Sequence, residues 1–281
     1  MNEAQMCWWP EMSLAVVVGA GGMGMAIARR LGQQHRLLLT DVNGERLEMV
    51  AATLRDEGLS VTTVVCDITD VQSVAGLATA VAAQGPLRVL AHVAGLSPSM
   101  AGWQQIMKVN LIGPRLVADA LLPLAQAGTA AIFIASLAAH VMPVSEKVQA
   151  VLADPLAPNF IERLVEAHGE ELTPTLSYVF SKNELVRICQ RDAWAWGQRK
   201  ARIVSLSPGL IATPMGALEF KNQPAKFDML AKTPLARQGG MLEIADAVEF
   251  LASDRASFIS GIDLLVDGGL NAASRHPQSS Q

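Results

Sequence analysis

Seven short runs of Val, Ile, Leu and Ala recur along the chain, each almost continuously apolar and each separated from the next by room for a helix. They are Ala15–Val18, Leu37–Leu39, Val61–Val65, Val89–Val93, Ala131–Ala135, Ile203–Leu206 and Asp263–Val266. Successive side chains of a strand point to opposite faces, so a run without polar alternation belongs to a strand covered on both sides. The alanine-rich segments between them, 23–33, 44–57, 71–83, 103–126, 178–198 and 242–252, carry helical periodicity instead. Strand and helix alternate with no internal repeat, long linker or low-complexity stretch. This predicts an α/β fold, a doubly wound seven-stranded parallel sheet in a single domain.

Composition narrows the function classes. With 51% hydrophobic and 17% charged residues, the 281-residue chain can bury one large core. A net charge of -4 and scattered basic residues argue against a nucleic-acid partner, and Arg199-Lys200-Ala201-Arg202 is too short to be a patch. The cysteines, Cys7, Cys66 and Cys189, are odd in number and show no metal-ligand spacing. They read as reduced thiols in a cytoplasmic protein, with no metal site. No apolar run approaches the roughly 18 residues that span a bilayer. The first residues lack the basic-then-apolar order of a secretion signal, so neither a membrane partner nor export is expected. Met12 directly precedes the first strand, so residues 1–11 are expected to be a disordered extension, 12–272 the domain and 273–281 a polar tail.

The first strand runs into Gly19-Ala20-Gly21-Gly22-Met23-Gly24 and then a helix, and Gly19, Gly21 and Gly24 fit G-x-G-x-x-G. Glycines allow the tight turn and a close backbone approach to a pyrophosphate, while the helix N-terminus supplies free N–H groups. This is the phosphate-binding element of a Rossmann domain. Asp41 follows the second strand, 17 residues past Gly24. A carboxylate there can accept both ribose hydroxyls and repel a 2′-phosphate, so NAD (NADH) is expected over NADP, with no arginine nearer than Arg46. Capping of the following helix is the alternative role for Asp41. Asp67, ending the third strand, is placed to meet an adenine amino group with Ile68 against the ring, or to cap the next helix.

Tyr178 and Lys182 stand four apart, on one face of a helix. A phenol with a pKa of about 10 is a poor acid or base at neutral pH, and a nearby ammonium stabilises its phenolate. Tyr178 is the only tyrosine in the chain. Before it, about 140–175, the strand rhythm lapses. Phe160, Ile161, Leu164 and Val165 form an apolar stripe there, with Asn159 as expected N-cap and Gly169 as expected stop. This helical insertion before the Tyr178 helix fits a lid over a site, or a packing or subunit-contact element. Met215, Leu218, Phe220, Phe227, Met229 and Leu230 mark a second irregular stretch, 214–235, expected to be a mobile lid over an apolar substrate or simply packed on the core.

With the glycine turn, Asp41, Asp67 and Tyr178-x-x-x-Lys182 in this order, the chain resembles the short-chain dehydrogenase/reductase family from residue 14 to about 270. The resemblance implies a catalytic tetrad of Asn110 in Lys108-Val109-Asn110-Leu111, Ser136 closing the fifth strand, Tyr178 and Lys182. It also implies nicotinamide-end contacts from Pro208, Gly209, Ile211 and Thr213. Against the family's T-G-x-x-x-G-x-G, the turn is one residue shorter and Val18 replaces threonine. Gly19, Gly22 and Gly24 align with its glycines, leaving Gly21, beside Met23, as a further pyrophosphate contact. The family's Asn-Asn-Ala-Gly is His92-Val93-Ala94-Gly95 here. Ala94 and Gly95 still admit a cofactor, and His92 is expected to replace an asparagine's structural hydrogen bonds rather than act in catalysis. The 42 residues from Ser136 to Tyr178 far exceed the usual gap. An insertion there is similar to that of certain 3-alpha-hydroxysteroid dehydrogenases and carbonyl reductases, and it would shape the pocket or disturb the family's helix-paired tetramers.

The resemblance implies reversible hydride transfer between a secondary alcohol and a ketone, on an apolar cyclic or steroid-like substrate, in a homodimer or homotetramer. Tyr178 would move the hydroxyl proton, Lys182 would lower its pKa and hold the nicotinamide ribose, Ser136 would bind the substrate oxygen, and Asn110 would anchor a water linking Lys182 to solvent. A catalytically silent nucleotide-sensing regulator or scaffold of the same fold is the competing class. A dinucleotide-dependent epimerase or dehydratase would need a C-terminal substrate domain for which the chain has no room.

Overall fold

The structure, a computed structural model, describes residues 12–276. The expected extension at 1–11, Cys7 within it, and the last five residues of the tail lie outside the described residues. Seven strands, β1 (Leu14–Val18), β2 (Arg36–Asp41), β3 (Val61–Val65), β4 (Leu87–His92), β5 (Ala125–Ile134), β6 (Arg202–Pro208) and β7 (Asp263–Val266), form one sheet in the order β3-β2-β1-β4-β5-β6-β7. Every pairing is parallel; Val16, for example, stands between Leu38 of β2 and Leu90 of β4. The order in which strands join the sheet reverses between β1 and β4, which opens a crevice at the carboxyl ends of those strands.

Helices α1 (Gly22–Leu31), α2 (Gly44–Asp56) and α3 (Val71–Ala83) follow the first three strands. After β4 come α4 (Trp103–Met107), a π-helical turn (Lys108–Ile112) and α5 (Gly113–Leu121). After β5 come α6 (Glu146–Leu152), α7 (Phe160–His168) and α8 (Pro174–Gln198). Beyond β6 lie α9 (Pro214–Asn222), α10 (Ala225–Ala231) and α11 (Met241–Ala252), and α12 (Leu270–Arg275) closes the described chain. Residues 273–275, expected to be tail, therefore complete a helix.

The apolar runs lack alternation because the sheet has two cores. Ala15 and Val17 of β1 pack with Ile27, Leu47 and Ile244 from α1, α2 and α11. Leu14, Val16 and Val18 pack on the opposite face with Val117, Leu185 and Trp196 from α5 and α8. Fully burying such side chains stabilises the fold by about 1.5–3 kcal/mol each relative to exposure. Local signals set the helix starts: the Asn43 side chain accepts from Arg46 N, Asp70 from Ser73 N and Thr173 from Leu176 N, each such cap being worth about 1 kcal/mol. Thr173 with Pro174 behind it starts α8 a turn before Tyr178, earlier than the periodicity alone suggests. Asp70, not Asp67 or Asp41, caps its helix.

The single helix expected over 103–126 is broken by the π-helical turn around Asn110 and stops before β5, which begins at Ala125. In the insertion α7 forms on its apolar stripe and Gly169 ends it at φ +95°. Asn159 does not cap it: its backbone is left-handed, φ 56°, and its side chain makes no cap hydrogen bond. Helix α6, unmarked by the sequence reading, is too short to show a full period. Both insertion helices pack outward. Val148, Leu152, Phe160 and Leu164 join Trp103, Met107, Phe180 and Ile188 of α4 and α8 in a third core. Among the described residues no helix is long and apolar enough to cross a membrane, and no three metal-ligating side chains converge.

Candidate active site

The chain leaves β1 through Gly19 at φ +103°, a left-handed conformation that a side chain would strain. A Cβ at Gly19 would lie 2.7 Å from Ala94 N, and one at Gly24 would collide with the Gly19 carbonyl, so both close approaches require glycine. Gly21, by contrast, has nothing within 4 Å of a Cβ position. It opens on the crevice, and no side chain caps α1. The first-turn N–H groups of α1 therefore face a space suited to an anion.

Asp41 closes β2, 8% exposed. Its Oδ2 accepts from Ala20 N at 2.8 Å, and its Oδ1 accepts from Asn43 N at 2.9 Å and Arg46 Nη2 at 2.6 Å. The pair with Arg46 corrects the expectation of a carboxylate with no arginine beside it. Five positions on, the first turn of α2 folds the guanidinium back over the strand end. Asp67 is exposed, and its Oδ1 accepts from Thr69 N and Oγ1 at 2.8 and 2.7 Å. Ile68 is buried against Gly113.

A cavity of about 830 Å³ runs from this turn along the strand ends. Its wall includes Gly19, Gly21, Gly22, Met23 and Gly24, then Asp41, Asp67 and Ile68, then Ala94 and Gly95. Farther along it reaches Ser136, Tyr178 and Lys182, and Pro208, Gly209, Ile211 and Thr213. Of the expected catalytic and cofactor-binding residues, only Asn110 stands off the wall. Its Oδ1 accepts from Leu96 N and its Nδ2 donates to Leu96 O, both at 2.8 Å. The wider π-helical turn aims this side chain at the loop after β4 rather than at the cavity. Its side-chain amide is thus committed to the Leu96 backbone and braces that loop. The Thr213 hydroxyl accepts from Gly216 N at 2.8 Å and so caps α9 from the cavity wall.

Lys182 is buried, and its Nζ donates to Ile134 O at 2.8 Å and sits 5.9 Å from the Tyr178 ring centroid. Burial lowers its pKa to about 8. The phenol of Tyr178 is shifted the other way, above its ordinary value: burial raises it, the Ser136 hydroxyl partly offsets that, and the Glu219 carboxylate raises it further. The Lys182 ammonium, held on Ile134 O, is not among the causes of that shift. His92 is buried, stacked on Phe133 at 5.3 Å, and its Nε2 has no hydrogen-bond partner. Burial, with the Lys182 charge second, brings its pKa down to about 3. It is a neutral packed ring, and the structural hydrogen bond expected of it is absent at Nε2.

The two irregular segments differ in what they contribute. Leu96, Ser97 and Pro98 line the cavity, as do Met215, Leu218, Phe220 and Met229 of α9 and α10. Phe227 does not: it is 60% exposed and meets Phe220 edge-on. The insertion contributes only its ends, Leu137, Ala138 and Val141 at the start and Thr175 just after it. Glu219 was missed. It is buried on α9 and lines the cavity, with Oε1 accepting from Ser99 N at 3.3 Å and Oε2 from Gln223 Nε2 at 2.8 Å. A lone acid between Leu218 and Phe220 was the available signal.

Comparison with known proteins agrees with this geometry. The sequence model described as short chain dehydrogenase matches residues 13–148, and the one described as Enoyl-(Acyl carrier protein) reductase matches 166–271. A short-chain dehydrogenase/reductase of Alternaria brassicicola is 32% identical, covering 92% of this chain and 96% of its own. The 3-alpha-hydroxysteroid dehydrogenase/carbonyl reductase of Comamonas testosteroni is 30% identical over 75% of this chain and 88% of its own. In fold, a short-chain dehydrogenase/reductase structure from Mycobacterium ulcerans superposes with a TM-score of 0.75 over 92% of this chain and 90% of its own, at 22% identity.

Proposed function

The chain belongs to the short-chain dehydrogenase/reductase family, and on that premise we propose that it is an NAD(H)-dependent oxidoreductase interconverting a secondary alcohol and a ketone on an apolar, cyclic skeleton. The observation that carries the reading is the convergence of Ser136, Tyr178 and Lys182 on the wall of one cavity that also holds the glycine turn and Asp41. The residues fit a nicotinamide dinucleotide: Gly21 leaves the space a side chain would fill, and the uncapped α1 start faces it. Gly19 to Gly24 would hold the pyrophosphate, Asp41 the adenosine ribose, Ile68 the adenine, and Ala94, Gly95, Pro208, Gly209, Ile211 and Thr213 the nicotinamide half. When bound, the nicotinamide supplies or accepts the hydride.

The rest of the chemistry is the chain's own. Ser136 donates a hydrogen bond to the substrate oxygen and steadies the charge that develops there. Tyr178 donates its proton to that oxygen in reduction and takes it back in oxidation. Its raised pKa keeps it protonated at neutral pH, so reduction holds through neutral pH while oxidation climbs toward the alkaline side. Lys182, fixed by Ile134 O, holds a positive charge beside the phenol and would hold the nicotinamide ribose. Asn110 acts through Leu96, keeping the loop after β4 against the site. Met215, Leu218, Phe220 and Met229 favour an apolar skeleton in the substrate half. Trp194 on α8 and Phe258 in the loop before β7 are 78% and 102% exposed. Such bare aromatic surface supports a homodimer.

The test is oxidation of cyclic secondary alcohols and reduction of the matching ketones, followed by nicotinamide absorbance with NAD and NADP separately. Tyr178→Phe is expected to lower kcat at least about a thousandfold, within the range for loss of a general acid–base group, while NADH still binds. NADH binding without turnover by the natural protein across the panel would favour the nucleotide sensor instead.

A further inference from the structure

The substrate half of the cavity is mostly apolar, with Ser97, Gln105, Thr175, Gln223 and Lys226 on its wall beside the Ser136–Tyr178 pair, and it holds one acid, Glu219. This residue is 8% exposed and comes from helix α9, over the site. An ionised carboxylate buried in an apolar wall is costly unless its oxygens are satisfied. Glu219 is only partly so. A carboxylate offers about four acceptor positions, and the chain fills two, one of them with a long 3.3 Å bond from Ser99 N. Lys226, also on the wall, lies 3.9 Å from Oε2, beyond hydrogen-bond distance, and its side chain is 24% exposed against 11% for Glu219. Its charge offsets part of the acid's field from the wetter side without taking up the remaining lone pairs. The Glu219 charge reaches Tyr178, so the acid and the reacting hydroxyl share one compartment.

We propose that Glu219 is a specificity-determining residue: its carboxylate accepts a hydrogen bond from a second, neutral hydroxyl of the substrate and turns away substrates that carry a carboxylate. The substrate class is then an alicyclic diol, or the corresponding hydroxyketone, with the reacting carbon at Tyr178 and the second hydroxyl toward α9. The proposal rests on the oxidoreductase reading for the identity of the reacting end, but the charge preference of the wall can be measured without turnover.

Two arms separate these claims. In the first, NADH-loaded protein is titrated by calorimetry with cyclohexylmethanol and with cyclohexanecarboxylate. In the second, cyclohexanol, 4-(hydroxymethyl)cyclohexanol and 4-hydroxycyclohexanecarboxylate are compared as substrates. The diol is expected to exceed the carboxylate by about tenfold to a hundredfold in kcat/KM, the range for a hydrogen bond to a charged group, and the neutral alcohol to bind more tightly than the acid. Glu219→Gln, which keeps an acceptor for Ser99 N, is expected to collapse both ratios at least tenfold, with the change in KM. Gln223→Ala loosens the same contact but keeps the charge, and should leave the ratios within about twofold. Equal ratios in the natural protein and Glu219→Gln would overturn the proposal, as would preference for the carboxylate or failure of both ring compounds to bind at millimolar concentration. Turnover without the charge preference defeats the role of Glu219 alone. Charge-selective binding without turnover defeats the oxidoreductase reading and leaves Glu219 standing.

Discussion

Two segments break the β-α rhythm of this chain, 137–173 and 209–240, and they end in opposite places. Both mix apolar and polar residues, both contain short helices, and both lie next to residues of the site. The first sends Val148, Leu152, Phe160 and Leu164 into a core with α4 and α8. The second lays Met215, Leu218, Glu219 and Met229 along the cavity. An amphipathic stripe requires that a face be buried, but carries no record of which surface buries it. The long gap before Tyr178 is therefore mostly a packing element, and specificity is expected to reside in the shorter segment after β6.

The sharpest way to break this contrast is Leu164→Ala. Leu164 is fully buried in the insertion core, so the change should cost about 2–5 kcal/mol of stability while the relative kcat/KM among ring alcohols stays fixed. Denaturant unfolding and the substrate panel check it, and altered selectivity would restore the insertion as a lid. A second expectation concerns the buried end of β4. His92 has a pKa of about 3 when folded, against 6.5 ordinarily. As pH falls below 6.5 the unfolded chain binds the proton first, so stability is lost down to about pH 3. At about pH 5 the loss is about 2 kcal/mol. His92→Asn should flatten this acid slope, measured by unfolding at a series of pH values.

The nucleotide end offers a smaller effect. Asp41→Ala should weaken NADH binding about tenfold to a hundredfold, the range for hydrogen bonds to a charged group, and leave Arg46 free to favour NADPH. Arg46→Ala should instead widen the preference for NADH. Fluorescence titration with both nucleotides reads the two variants, and an unchanged ratio in each would remove Asp41 from cofactor choice. Least is expected of Met229→Ala on α10. It trims the cavity wall without opening the main cores, so KM should rise several-fold, by about 1 kcal/mol of lost contact, with a melting temperature little changed.

Much of this was legible before the fold was known. Continuous apolar runs marked strands buried on two faces, and the glycine turn after β1 needed only local chemistry to read, since Gly24 answers to Gly19 five residues away. Tyr178 and Lys182 stood out because a helix face is set by local periodicity, Ser136 because of the family resemblance, and the structure brings all three to one cavity. Asn110 was visible as a residue but not as a contact: its partner, Leu96, depends on a π-helical turn that helical periodicity does not announce. The Arg46–Asp41 pair was passed over because spacing along the chain hid how α2 turns back.

What the sequence determined by itself was the alternation of strand and helix, the sheet buried on both faces, and the glycine turn after β1. These follow from the periods of two and 3.6 and from turn chemistry, all local. Only the tertiary structure decided that the insertion packs outward, that Lys182 is pinned to Ile134 O, and that Glu219 meets Ser99 across 120 positions of chain. Such contacts depend on how the complete set of buried surfaces packs together, and no short window of residues contains that information.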